Sequence, residues 1–173
     1  MITNEAYVCA TCGATHAGLA MVLGPSAPDP WVTATDAERA SGELNADTCV
    51  LPDAGRTLYF VRGHIEIPVH DSDDGPFVWS VWVSLSEANI QKQARHWDDS
   101  RRAGLEPMFA WLSTHLPYDV STAPLPTRLH TRPPGQVPWI ELRPDLDHPL
   151  VHEWHDGITL HRVAELDAQA RHG

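Results

Sequence analysis

The residues best suited to chemistry lie near the start of the chain, in Cys9-Ala10-Thr11-Cys12-Gly13. Two thiolates at C-x-x-C spacing can grip one metal ion from a tight turn. A glycine after the second cysteine lets the backbone fold so that its N–H groups face the sulfurs. His16 follows four residues after Cys12, and the third cysteine is Cys49. Cys9, Cys12, Cys49 and His16 together would make a tetrahedral Cys₃His site for structural zinc, with His64 or Asp47 as alternative fourth ligands. A full zinc ribbon carries two C-x-x-C pairs, whereas Cys49 stands alone. The competing reading is a degenerate knuckle with Cys49 as an ordinary buried strand residue. Redox use of the pair would call for a helix N-terminus or a βαβ unit after Cys12 to lower a thiol pKa, and the sequence offers neither.

Other constellations are weaker. His148, His152 and His155 fall at i, i+4 and i+7, so one helix face could present three imidazoles. His152-Glu153-Trp154-His155 is one residue short of the zinc-protease order H-E-x-x-H, and these histidines are expected to be solvated or capping. Asp71-Ser72-Asp73-Asp74-Gly75 places aspartates at positions one, three and four of a calcium-type loop, but position twelve would be Trp82, so a plain loop is expected. The sequence contains no G-x-x-x-x-G-K-[ST] or G-x-G-x-x-G phosphate cradle and no G-x-S-x-G elbow.

The elements that must position these residues follow from periodicity. From Arg62 to Glu66 polar residues alternate with apolar ones, placing Ile65 and Ile67 on one strand face. The loop Asp71–Gly75 leads to a second strand over Phe77–Leu85, with Phe77, Trp79, Val81 and Val83 sharing a face; the two strands should pair antiparallel. Arg128–Arg132, Pro133–Gln136 and Val137–Leu142 read as strand, turn, strand. Helices are expected from Thr35, with Glu38 completing a capping box, and from Ser86 through Trp97. Another is expected from an Asp147 cap to Gly157, with Pro149 in its first turn. Phe109–Leu112 fits helix or strand. Ile158–Val163 suggests a last strand, and 165–173 a loose polar tail. The expectation is an α+β fold. Residues 1–173 form one domain with a mainly antiparallel sheet, two or three helices, and a zinc-ribbon-like knuckle (residues 6–24) packed on the sheet.

Composition sets outer bounds. The 173 residues, 42% of them apolar and seven of them tryptophan, suffice for one sizeable core. Twenty-three acids against twelve bases give a net charge of −11. An acidic surface repels phosphate backbones, and the arginines form no basic stripe, so no nucleic-acid partner is expected. A single lysine among the bases, with abundant Ala, Pro, Arg and Asp, suggests a GC-rich bacterial genome. No apolar run reaches the roughly 18 residues of a bilayer span, and no secretory apolar stretch follows Met1. An odd number of cysteines argues against a disulfide framework. A cytoplasmic location and no membrane partner are expected.

In order along the chain, Cys9-x-x-Cys12-Gly13 with His16, Ala27-Pro28-x-x-Trp31, Asp47-x-Cys49 and Arg62-Gly63-x-Ile65-Glu66-Ile67-Pro68-Val69 form a recognisable series. The segment Trp79-Ser80-Val81-Trp82-Val83-Ser84-Leu85-Ser86 is its most specific piece. Trp111-Leu112-Ser113, Arg132-Pro133, Asp147-His148-Pro149-Leu150 and Gly157-Ile158 complete it. The chain thereby resembles the bacterial family known as domain of unknown function 2199. The resemblance implies one intact domain, supplies no activity, and implies that the knuckle, His16 and Asp47-x-Cys49 belong to one recurring design.

These readings lead to a zinc-stabilised, non-enzymatic binding or interaction module, with a protein as the expected class of partner. One alternative is a zinc enzyme in which Cys9, Cys12 and Cys49 hold the metal, water fills the fourth position, and Glu66 or His64 serves as acid/base. Another is an immunity or antitoxin-like protein whose acidic charge suits a basic partner.

Overall fold

The computed structural model describes residues 6–8 and 12–172. Its elements begin with β1 (Tyr7–Val8), β2 (Thr15–His16), β3 (Val22–Leu23), α1 (Asp29–Thr33), α2 (Asp36–Ala40), β4 (Glu43–Leu44), β5 (Thr48–Asp53), β6 (Arg56–Ile67) and β7 (Phe77–Leu85). They continue with α3 (Glu87–Arg95), a 3-10 turn at Arg102–Gly104, β8 (Met108–Leu112), β9 (Pro126–His130), β10 (Trp139–Leu142), α4 (Pro149–Asp156) and α5 (Leu160–His172).

The alternating pattern in β6 and β7 gives a long antiparallel hairpin, in register from Tyr59 opposite Leu85 to Ile67 opposite Phe77. β8, β9 and β10 extend it as a meander. Five antiparallel strands taken in chain order leave the first and last pointing the same way. The sheet therefore closes through a parallel contact, His64 of β6 opposite Trp139 of β10. The result is a five-stranded barrel with β3, β4 and β5 as additional strands. Its interior is filled by Ile65, Ile67, Phe77, Trp79, Val81, Val83, Ala110, Leu112, Leu129, Ile140 and Leu142, all essentially inaccessible to solvent.

Each long strand serves two neighbours on its outer edge. The first half of β6 pairs with β5 and its second half meets β10. The first half of β7 takes β3 in parallel and its second half takes β8. Beyond β6, Val69 bridges Ile158, and Leu150, Val151, Val163 and Leu166 of the two C-terminal helices join the barrel core. A second, smaller core lies elsewhere on the hairpin, where Cys49, Leu51, Phe60 and Trp82 pack with Trp31, Ala34 and Leu44.

Several local expectations hold. Thr35 and Glu38 form the capping box of α2, and Ser86 caps α3 through the Asn89 amide. Phe109–Leu112 is a strand whose residues alternate between buried and exposed, as one face of a barrel wall requires. Four expectations are corrected. The cap of α4 is His148, whose Nδ1 accepts from the Leu150 amide, in place of Asp147. Ile158 contributes a single bridge rather than a strand, because the chain turns at once into α5. Residues 165–172 are helical rather than a loose tail, since Leu166 is needed to cover the barrel core. The described residues hold five α-helices, α1 and α2 being only five residues each. The expected zinc-ribbon-like knuckle falls partly on residues 9–11, outside the described residues, and the segments on either side pair as a two-residue ladder between β1 and β2. Among the described residues no helix is long and apolar enough to cross a membrane.

Closure leaves no room for a side chain at Gly63: a Cβ built there would overlap the Ile140 side chain, itself fully buried. Gly63→Ala is expected to destabilise the fold by roughly 1–3 kcal/mol, the usual cost of overpacking. Urea denaturation checks this, and an unchanged midpoint would count against the closure argument.

Candidate metal centre

The β1–β2 hairpin places Tyr7 opposite His16 and Val8 opposite Thr15. Gly13 stands in its turn at φ +70°, a left-handed conformation that glycine adopts without strain. This fold-back brings Cys12 Sγ to 3.3 Å from His16 Nε2. The third member comes from the far end of the sequence. His161, in the first turn of α5, joins them so that one ligand atom from each of the three lies within 4.8 Å of the others. The His16 and His161 rings meet edge-on with centroids 6.3 Å apart. Cys12 is exposed and both histidines are half-buried.

Tetrahedral zinc, with bonds of about 2.3 Å to sulfur and 2.0–2.1 Å to nitrogen, spaces its ligand atoms roughly 3.3–3.8 Å apart. Cys12 and His16 already stand at that separation, and His161 needs only a small approach. Thiolate and imidazole donors are ones that zinc, among other transition metals, accepts.

Of the residues singled out from sequence, Cys12 and His16 are brought together. Cys9 lies outside the described residues. Cys49 is placed in the second core, with Phe60 as its partner across the β5–β6 ladder and Trp82 packed nearby. Burial pushes its thiol pKa up to about 11, so it stays protonated and apolar in character. Of the alternatives, Asp47 accepts from Arg62 at 2.9 Å, and His64, opposite Ser80 in the β6–β7 ladder, stands outside the cluster with its Nε2 buried and without a hydrogen-bond partner among the described residues. Burial, then the charges of Arg62 and Arg132, hold the His64 pKa below its ordinary value. Glu66 accepts from Arg132 at 2.6 Å.

The helix histidines settle into local roles. His148 caps α4 and contacts the Ser121 carbonyl, His152 pairs with Asp147, and His155 with Asp156. Asp71, from the calcium-like loop, accepts from the Leu160 amide at 2.7 Å and so caps the helix that carries His161. His161 escapes sequence reading because 145 residues separate it from His16. Its one local mark is Glu165 a turn later, a pairing common on any helix surface.

A second concavity lies between α3 and the β5–β6 edge, with a polar part of about 350 Å³ and an apolar part of about 560 Å³ that share Asp47, Val61, Gln93 and Trp97. Its cations serve structure. Arg62 is held by Asp47, and the buried Arg102 donates to the carbonyls of Trp97, Arg132, Pro133 and Gln136.

The molecule is thus a five-stranded barrel, covered by C-terminal helices, that holds a Cys/His cluster where the two ends of the chain meet. Residues 8–158 match the family described as an uncharacterized protein conserved in bacteria (DUF2199), and the chain belongs to it. The matched region begins at Val8, within β1, and stops at Ile158, just before His161. No curated protein and no solved structure matches the chain.

The two described cysteines should differ sharply in reactivity. At pH 8 in chelator, iodoacetamide is expected to modify Cys12 readily and Cys49 only once denaturant is added. A thiol with a pKa near 11 is ionised to about one part in a thousand at that pH. Peptide mass mapping reads the difference, and ready labelling of Cys49 in the folded protein would contradict its burial.

Proposed function

We propose that the chain is a zinc-stabilised binding module in which Cys12, His16 and His161, joined by Cys9, hold one structural zinc ion. The observation that carries this reading is the convergence of Cys12, His16 and His161 from opposite ends of the sequence. A ladder of two residues per strand cannot hold itself together in water. A metal shared between this hairpin and α5 would clamp it to the barrel, and the binding free energy would then count as folding free energy. Cys9 completes the set on the strength of the C-x-x-C spacing, giving a closed Cys₂His₂ site in place of Cys₃His.

A closed site favours binding over turnover. The residues considered as acid/base for an open zinc site, Glu66 and His64, do not belong to the cluster, and Glu66 is already paired with Arg132. The net charge of −11 favours a basic protein surface as partner.

Native mass spectrometry of protein made without a metal-affinity tag is expected to show one zinc per chain, and chelator should lower the melting temperature. Cys12→Ser and His161→Ala should each lose the metal, while Cys49→Ala should keep it. A metal-free wild type with the same stability in chelator would overturn the proposal, and loss of zinc in Cys49→Ala alone would return Cys49 to the ligand set.

A further inference from the structure

The cluster is attached to the barrel by an unbroken chain of polar contacts. His161 Nε2 lies 3.3 Å from Glu165 Oε1. Arg162 Nη1 donates to Glu165 Oε2 at 3.0 Å, and its Nε donates to Glu153 Oε1 at 2.7 Å. The Tyr118 hydroxyl donates to Glu153 Oε2 at 2.7 Å and accepts from Trp79 Nε1 at 3.2 Å. Trp79 is part of the barrel interior.

Resting on the zinc reading above, we infer that Glu165 is the outer carboxylate that positions His161 for the metal, and that Arg162, Glu153 and Tyr118 anchor it to Trp79 in the barrel. Each group uses its hydrogen-bonding capacity in the required sense. Both oxygens of Glu165 and of Glu153 are engaged, the guanidinium bridges the two carboxylates, and the phenol donates once and accepts once. Burial and the Glu153 carboxylate keep the Tyr118 hydroxyl protonated, so it can only donate toward Glu153.

Two carboxylates and one guanidinium leave a single negative charge directed at His161. With Nε2 on Glu165, His161 would offer the metal its Nδ1, and a histidine whose other ring nitrogen is held by a carboxylate has its tautomer and orientation fixed and becomes a better metal ligand. Glu165 is four residues from His161 on the same helix, and an isolated pair at that spacing would add only a few tenths of a kcal/mol to the helix. Its continuation through Arg162 into the core separates it from such a pair, because it fixes the carboxylate at both oxygens.

The test is zinc affinity of the full-length chain, measured by competition with a chromophoric chelator. Glu165→Ala is expected to bind zinc roughly 10–100-fold more weakly while its metal-free melting temperature stays at the wild-type value. Glu165→Gln, which keeps an acceptor oxygen without the charge, should recover part of the loss. Tyr118→Phe should weaken zinc binding in the same direction, since it frees Glu153 from the barrel. If wild type binds zinc and Glu165→Ala binds it equally well, the positioning role is overturned and the zinc site stands. Equal affinity in Tyr118→Phe would overturn the anchoring to Trp79. If wild type takes up no zinc, the failure lies with the zinc reading itself.

Discussion

Closure of the sheet between β6 and β10 is the contact on which the rest of the molecule depends. A meander of five strands must close in parallel, and here it does so at His64 and Trp139, one residue from Gly63. A side chain at Gly63 would overlap the fully buried Ile140, which would have to shift for the two strands to stay paired. A closed wall leaves an interior that must be covered where β6 ends and β7 begins. Leu150, Val151, Val163 and Leu166 supply that cover. The C-terminal helices are therefore held by the same hydrophobic effect that fills the barrel.

That cover decides where the cluster can form. Ile158 is tied to the chain just beyond β6 by its bridge to Val69, and Asp71 caps α5 from the loop that follows. Both contacts fix the first turn of α5, and His161 sits in that turn. The N-terminal hairpin, too small to persist unaided, meets this turn through Cys12 and His16. In the zinc-bound form proposed above, the metal would join the two ends of the chain across the barrel they enclose.

Much of the scaffold was legible in the residues themselves. The alternation of Arg62–Glu66 and Phe77–Val83 located the hairpin, because strand faces repeat every two residues. Thr35 with Glu38, and Ser86, located helix starts, because capping is local. Leu160–Val163 misled, since its apolar residues serve equally in a strand or on a helix face and only contact with the barrel core chose between them. Asp147 and His148 were both plausible caps for α4, and the backbone placed His148 at the position from which a side chain reaches the Leu150 amide.

By itself the sequence determined the short-range half of the site: Cys12, Gly13 and His16 lie close enough that one turn brings thiol and imidazole together. It also determined the two strands whose inward residues fill the barrel. The tertiary structure decided what local spacing cannot encode. It placed Cys49 in the second core beside Trp31 of α1, where burial keeps the thiol protonated, and brought His161 to the hairpin from the opposite end of the chain. The physical reason is that a strand fixes only the face its side chains take. What covers that face depends on how the barrel closes and on which helices its apolar core recruits.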